Sequence, residues 1–396
     1  MLGGLLMARK MIDYVRYVFD TLSEGITIKS LADAKISPPS TEEAPALFKQ
    51  FLRLRVSDPE YLINNIRLHE ITYESTKYIA FTNLLVSEDA LLVLEMEGIL
   101  RVDANSALLL ASLKDMSVRR VPSVNLQELE ENILSQQEDS KEYIGHDLSE
   151  LQDFFEPVVF FEILPDSVYR SRLVNEVAYY VASYSLELIN PKLEPFLAEF
   201  RSLLSHDGSF MKQNIFWSMT STHYKHAFLE LYRCIESVYT LPRALSLKSK
   251  TGLTLAGHLV AKICIEELGW RRKEEDSLFR VLSLMPVSRL QPLTLSRLPY
   301  VNSADWDFTL PETNGKGIES LAKFIYKLRN QMVHQFDAEN EITITNDDWS
   351  VLIELLVSVI DYIFVQYAAE LPQVTPAAPS STTSSIDFVA SIGSSS

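Results

Sequence analysis

Apolar residues recur at spacings of three and four along HYKHAFLELYRCIESVYTL, where Phe228, Leu231, Tyr232, Ile235, Val238 and Tyr239 form one stripe. That period predicts a helix buried along one side. It persists from Thr222 almost to the C-terminus: TLAGHLVAKICIEELGW and EEDSLFRVLSLM predict two more helices, with Pro242 at or just past the end of the first helix and Pro286 stopping the third. The proline-punctuated stretch from Pro286 to Pro311, carrying Trp306 and Phe308, reads as a long loop. A helix from about Ile318 to Phe336 and a closing helix from about Asp347 to Leu371 complete a bundle over 220–370. In the closing helix Glu354, Ser358 and Asp361 share one face, which makes VLIELLVSVIDYIFVQYAAEL a bundle helix with a wet side and not a membrane span.

The N-terminal half has mixed periods. MIDYVRYVFDTL and EEAPALFKQFLRLR read as short helices divided by the turn-rich SPPSTEE, while KYIAFTNLLV and LLVLEMEGILRV suggest strands mixed with helix. The acidic, Gln-rich segment 127–156 is either an exposed helix or a connector. Beyond it PVVFFEIL predicts a buried strand and SRLVNEVAYYVASYSLELI a helix. HDGSFMKQN interrupts the pattern, so the division expected is 1–205, a mixed α/β (α+β) region with a possible subdivision near 127–156, then the bundle 220–370 and a tail 371–396. The tail has too little apolar surface to offset its ordering entropy and is expected to be disordered. The fold class is therefore mainly α, with an α+β region ahead of a helical bundle.

Composition adds limits. The start, MLGGLLMARKMIDYV, lacks the basic region and apolar run of a secretory signal, and Met7 or Met11 could equally begin the chain. Cys234 and Cys264 lie far apart, with no CxxC or Cys/His cluster, so neither a disulfide framework nor a zinc site is implied and a reducing, cytoplasmic setting is expected. The formal charge of −17 opposes binding to a polyanion. Its distribution softens that objection: 1–219 carries 20 basic and 33 acidic side chains, whereas 220–370 carries 16 and 19. The bundle half is nearly neutral.

Chemistry concentrates in RNQMVH, Arg329 to His334. A histidine changes charge near neutral pH and can take the proton of a ribose 2′-hydroxyl, while arginine holds a phosphate through paired charged hydrogen bonds. At about 100° per residue, Lys323, Lys327, Asn330 and His334 project in one narrow polar sector of the helix. Arg329 projects beside the apolar stripe of Leu321, Phe324, Ile325, Leu328, Met332 and Phe336, roughly 140° away from His334. A regular helix cannot aim both at one phosphate. Either the helix is distorted there, or two copies meet across a two-fold axis so that arginine and histidine converge from different chains.

A helix like FLELYRCIESVY followed by a helix carrying arginine, asparagine, three further residues and histidine resembles the HEPN domain, an α-helical bundle. The resemblance covers about 220–370. It implies a metal-independent endoribonuclease, without a cofactor, working as a homodimer in toxin or phage-defence (abortive infection) systems, with Arg329 and His334 catalytic and RNA as substrate. An antitoxin or a phage-derived trigger would then be a partner, and the N-terminal region a sensor or restraint. Some relatives carry tyrosine two residues after the histidine where this chain has Phe336. In the mechanism implied, Asn330 orients phosphate or histidine and Lys323 and Lys327 guide the RNA backbone.

Other readings stand beside this one. Arg329 can be a plain ion pair with Glu319 or Asp337, and His334 a surface histidine, in a non-catalytic bundle that dimerises or binds a partner. Glu236 and Glu319 are more simply solvated flanks. His146-Asp147 and His206-Asp207 lack further metal ligands at useful spacing, Gly315–Gly317 is a turn before a helix, and His223 and His226 open the first bundle helix as capping or surface residues.

Overall fold

The structure is a computed structural model that describes residues 9–26, 35–37, 43–63, 65–134, 145–206, 211–268, 273–294, 311–334 and 344–372; the side chains of 132, 267, 268, 291–294, 311–314 and 334 lie outside the description. The chain opens with helices α1 (Met11–Leu22) and α2 (Ala44–Arg53), then strands β1 (Arg55–Val56), β2 (Glu60–Tyr61), β3 (Arg67–Tyr73) and β4 (Thr76–Thr82). Next come α3 (Glu88–Met96), β5 (Ile99–Val102), α4 (Ser106–Asp115), α5 (Leu126–Leu129) running into a π-helical Glu130–Leu134, α6 (Leu148–Gln152) and β6 (Val158–Ile163). Described elements downstream are all helical: α7 (Val174–Ala182), α8 (Leu197–Ser205), α9 (Lys212–Thr220), α10 (Tyr224–Ser237), α11 (Leu241–Thr251), α12 (Gly257–Leu268), α13 (Glu274–Leu282), α14 (Val287–Thr294), α15 (Pro311–His334) and α16 (Asn346–Gln366). The chain is mainly helical with one small sheet.

That sheet is antiparallel throughout, in the order β1-β3-β4-β6-β5, with β2 also pairing to β3. KYIAFT and VVFFEI sit side by side, Ile79 opposite Phe161 and Phe81 opposite Val159. Because successive strand side chains point to opposite faces, each strand feeds two cores. Ile79, Phe81, Phe161 and Ile163 join the cluster that continues into α7–α10, α13, α15 and α16. Ile71, Ala80, Val158 and Phe160 pack instead with α1, α4 and α6. This double burial explains why these strands are near-continuously apolar and do not alternate.

In the bundle, the predicted stripe on α10 is buried from Phe228 to Ile235, and Trp349 of α16 meets the Phe228 ring edge-on at 5.6 Å. Thr345 and Asp348 form a reciprocal capping box that starts α16. Glu354, Ser358 and Asp361 are half-buried on its wet side, as expected. No helix among the described residues is long and apolar enough to cross a membrane.

Several expectations change. Pro242 lies past the end of α10, one of the two placements expected, and belongs to the first turn of a further helix, α11, where its missing N–H costs nothing. Gly315–Gly317 is not a turn: both glycines lie inside α15, which starts at Pro311 and not Ile318. The stretch after Pro286 is not all loop, since α14 follows it directly; Trp306 and Phe308 lie outside the described residues. MKQN opens helix α9 where an interruption was expected. The division expected between 205 and 220 falls inside a packed layer, because α8 packs on α16 and α9 on α10. The apolar faces of α7–α9 and of the C-terminal helices close one core together. The tail beyond residue 372 lies outside the described residues, as does Phe336.

Candidate functional site

Helix α15 is assigned α throughout its 24 residues, Arg329 and His334 included, so distortion is not how these two could converge. Leu321, Phe324, Ile325 and Leu328 are buried, at the spacing that turns one face of α15 into the bundle. Lys323 and Lys327 are exposed on the opposite side. His334 ends the helix; its side chain lies outside the described residues.

Arg329 sits where α10, α13 and α15 meet. Its guanidinium stands over the Tyr232 ring, 5.6 Å from the centroid, with Glu236 at 3.9 Å and Glu274 at 3.7 Å. Of the two carboxylates expected beside Arg329, Glu319 is not one of these partners. Glu319 pairs with Lys323 at 2.8 Å, one turn away on the same helix, and that hydrogen bond raises the Lys323 pKa; Asp337 lies outside the described residues. Both Arg329 pairs are longer than a hydrogen bond, so they act through charge alone. Among the described residues the guanidinium makes one hydrogen bond, from Nη1 to Asn330 Oδ1 at 3.0 Å. Asn330 thus turns towards Arg329 instead of completing the outer lysine sector. A guanidinium has five N–H donors, and the others make no hydrogen bond among the described residues.

The surroundings are predominantly acidic. Glu274, Glu275 and Asp276 occupy the first turn of α13, where the helix dipole favours carboxylates. Asp276 binds Arg280 and Arg243, which hold its pKa low and tie α13 to α11. With Glu319, Phe279 and Tyr326 these residues line an open hollow of about 690 Å³ beside Arg329. Four carboxylates against the single ammonium of Lys273 make it a poor seat for phosphate.

Below Arg329, the Tyr239 hydroxyl donates to the Tyr232 hydroxyl at 2.6 Å, and burial pushes the Tyr232 pKa up to about 12. Both phenols are neutral. Tyr232 is a platform and not an acid–base group. Sequence reasoning placed Tyr232 in the core stripe and overlooked Glu274; the signal available was an EED run at a helix start, which marks a first turn but not its distant partner.

The other candidates separate from this cluster. His206 Nε2 lies 3.1 Å from Asp361 Oδ1, so it ties α8 to α16. Asp147 caps α6 by accepting from the Ser149 amide at 2.9 Å. His223 and His226 are exposed at the start of α10, rings 5.9 Å apart. Cys234 and Cys264 are buried free thiols, and burial raises the Cys234 pKa strongly. Among the described residues no group of three or more His, Cys, Asp or Glu side chains is placed to hold a metal ion.

Comparison with protein-family models, curated proteins and solved structures finds no match to this chain.

Proposed function

We propose that the chain is a metal-independent endoribonuclease with a HEPN-like C-terminal bundle, active as a homodimer. The observation that carries this reading is Arg329: a guanidinium only 19% exposed, held over an aromatic ring, with a single hydrogen bond to the protein among the described residues. A fixed, partly desolvated cation with spare donors suits a phosphorane-like transition state, whose added charge it would meet without reorganising. His334 supplies the proton transfer. It takes the 2′-hydroxyl proton as the 2′-oxygen attacks phosphorus, and the imidazolium so formed returns that proton to the 5′-oxygen as the P–O5′ bond breaks, giving a 2′,3′-cyclic phosphate and a 5′-hydroxyl. Asn330 orients the guanidinium, and Lys323 and Lys327 guide the backbone, which makes cleavage salt-sensitive.

The uninterrupted α-helix supports a composite site, because Arg329 and His334 project roughly 140° apart on it. Complementation tests this directly. Full-length Arg329→Ala and His334→Ala chains, each inactive alone on a defined RNA in EDTA, are mixed. In a composite two-fold site the mixed dimer contains one intact Arg–His pair and recovers cleavage with cyclic-phosphate ends. No recovery sinks the composite site; undiminished cleavage by both single variants, or none by the wild-type dimer, sinks the nuclease reading. The role proposed is that of an effector in toxin or phage-defence systems, in a cytoplasmic setting.

A second reading, a non-catalytic bundle that dimerises or binds a partner, is favoured by the same guanidinium. Its carboxylates come from two other helices, which is also what a structural tie needs. Growth arrest with RNA fragmentation that depends on His334 separates the two.

A further inference from the structure

The sheet half of the molecule presents an apolar face that nothing in the described structure covers. On α3, Leu92, Val93 and Met96 point outward, Met96 with 87% of its surface exposed; Leu85, just before the helix, is 54% exposed, and Val168 is 67% exposed. Their neighbours Ala90 and Leu94 are buried, so the helix is anchored and the outer residues are surplus to its own core. Single exposed apolar side chains are ordinary, but several together on one short helix and the turn beside it mark a contact surface. Met96 and Val168 are joined across an open hollow of about 560 Å³ between the end of α3 and the 164–169 turn.

The rim of this face is predominantly acidic. Glu88 and Asp89 stand exposed at the start of α3, Glu95 near its end and Asp166 across the hollow. Arg101, 3.8 Å from Glu88, offsets one of these charges. Glu97, at the inner side of the hollow, is already committed, accepting from the Tyr169 and Tyr180 hydroxyls at 2.6 and 2.9 Å. That bonding fixes the floor and leaves Glu95 and Asp166 facing solvent. A collar of carboxylates repels RNA, DNA and anionic lipid surfaces. It attracts lysine and arginine, whose aliphatic stems can also cover Met96 and Val168.

We propose that the α3 face is a docking site for a basic, amphipathic segment of a partner protein, its apolar residues on Leu92, Met96 and Val168 and a lysine or arginine in the hollow between Glu95 and Asp166. The proposal is independent of the ribonuclease reading. It gives the N-terminal half a binding activity that no motif announced.

The test uses the full chain and a synthetic helical peptide of leucine and lysine, with a leucine–glutamate peptide of equal length as its counterpart, measured by fluorescence anisotropy across a salt series. The basic peptide is expected to bind saturably and the acidic one not to bind. Met96→Ser with Leu92→Ser is expected to weaken binding about tenfold at unchanged net charge. Glu95→Lys with Asp166→Lys is expected to weaken it by more than Glu128→Lys with Glu130→Lys, an equal charge change at α5, whose Leu129 packs on the opposite face of the sheet. Equal effects of the two charge-reversal pairs, or no effect of the serine pair, would mean diffuse attraction to an acidic protein and would overturn the proposal. Absence of binding to the basic peptide would overturn it as well.

Discussion

Replacing Arg329 by methionine keeps most of the aliphatic stem and removes the guanidinium, so the structure assigns the change a definite magnitude. The cation over Tyr232, 5.6 Å from the ring centroid and partly desolvated, contributes about 1 kcal/mol. Glu236 and Glu274 lie 3.9 and 3.7 Å away and are 36% and 37% exposed, so solvent screening limits each pair to about 0.5 kcal/mol. The hydrogen bond to Asn330 adds roughly 0.5 kcal/mol. Together the loss comes to about 2 to 3 kcal/mol, and Arg329→Ala loses about 1 kcal/mol more through the stem. The assay is urea unfolding followed by tryptophan fluorescence and far-UV circular dichroism, run as a double-mutant cycle with Glu274→Gln. A coupling of about 0.5 kcal/mol that shrinks in high salt is expected. Strict additivity, with Arg329→Met losing less than about 0.5 kcal/mol, would refute the three-helix tie. The result also bears on function: an activity loss in Arg329→Ala that Arg329→Met shares at a permissive temperature is chemical and not a consequence of unfolding.

Further outcomes follow from other sites. His69 is 1% exposed, with Nδ1 3.0 Å from the Ser57 carbonyl, and burial lowers its pKa below 6.5. The unfolded chain protonates first, so this stabilisation is complete above pH 6.5 and is lost as pH falls through the folded value. His69→Gln should flatten the acid limb of Tm against pH, and an unchanged limb would remove His69 from the explanation. Glu370 accepts from Lys248 and from the Gly257 amide, and the Lys248 hydrogen bond holds its pKa below 4.5. That contribution is present above pH 4.5 and fades as pH falls through the folded value, and Glu370→Gln should speed amide hydrogen exchange in α12 about tenfold, with equal exchange counting against the latch. A Cβ on Gly98 (φ +73°) would stand 2.8 Å from the Ser167 Cβ, so Gly98→Ala should cost about 2 to 3 kcal/mol. Gly252→Ala, with a similar φ of +70° and nothing within 4 Å, should cost about 1 kcal/mol, and equal losses would discount the Ser167 contact.

Much of the helical half was legible because each helix announces itself locally. The stripe on α10 and the apolar side of α15 depend on residues within a few turns of one another, and a period of 3.6 is a local property. Strands β4, β5 and β6 were legible as apolar runs for the same reason, whereas β3, whose RLHEITY mixes charged and apolar residues, was not. Glycine misled at 315–317, since a long helix held by packing tolerates residues that local propensity disfavours. Pro286 was a true stop for α13, yet it also opens the way into α14.

By itself, then, the sequence determined most of the bundle helices with their apolar faces, the strands β4 and β6, and the RNQMVH motif with its angular separation of arginine from histidine. Only the tertiary structure decided which elements share a core, that α7–α9 pack with the bundle, and that Glu236, Glu274 and Tyr232 are the groups around Arg329. The reason is physical. Secondary structure follows from neighbours along the chain, whereas the field at a guanidinium is set by whatever charge and aromatic surface folding brings within a few ångströms, and that depends on how three helices pack together.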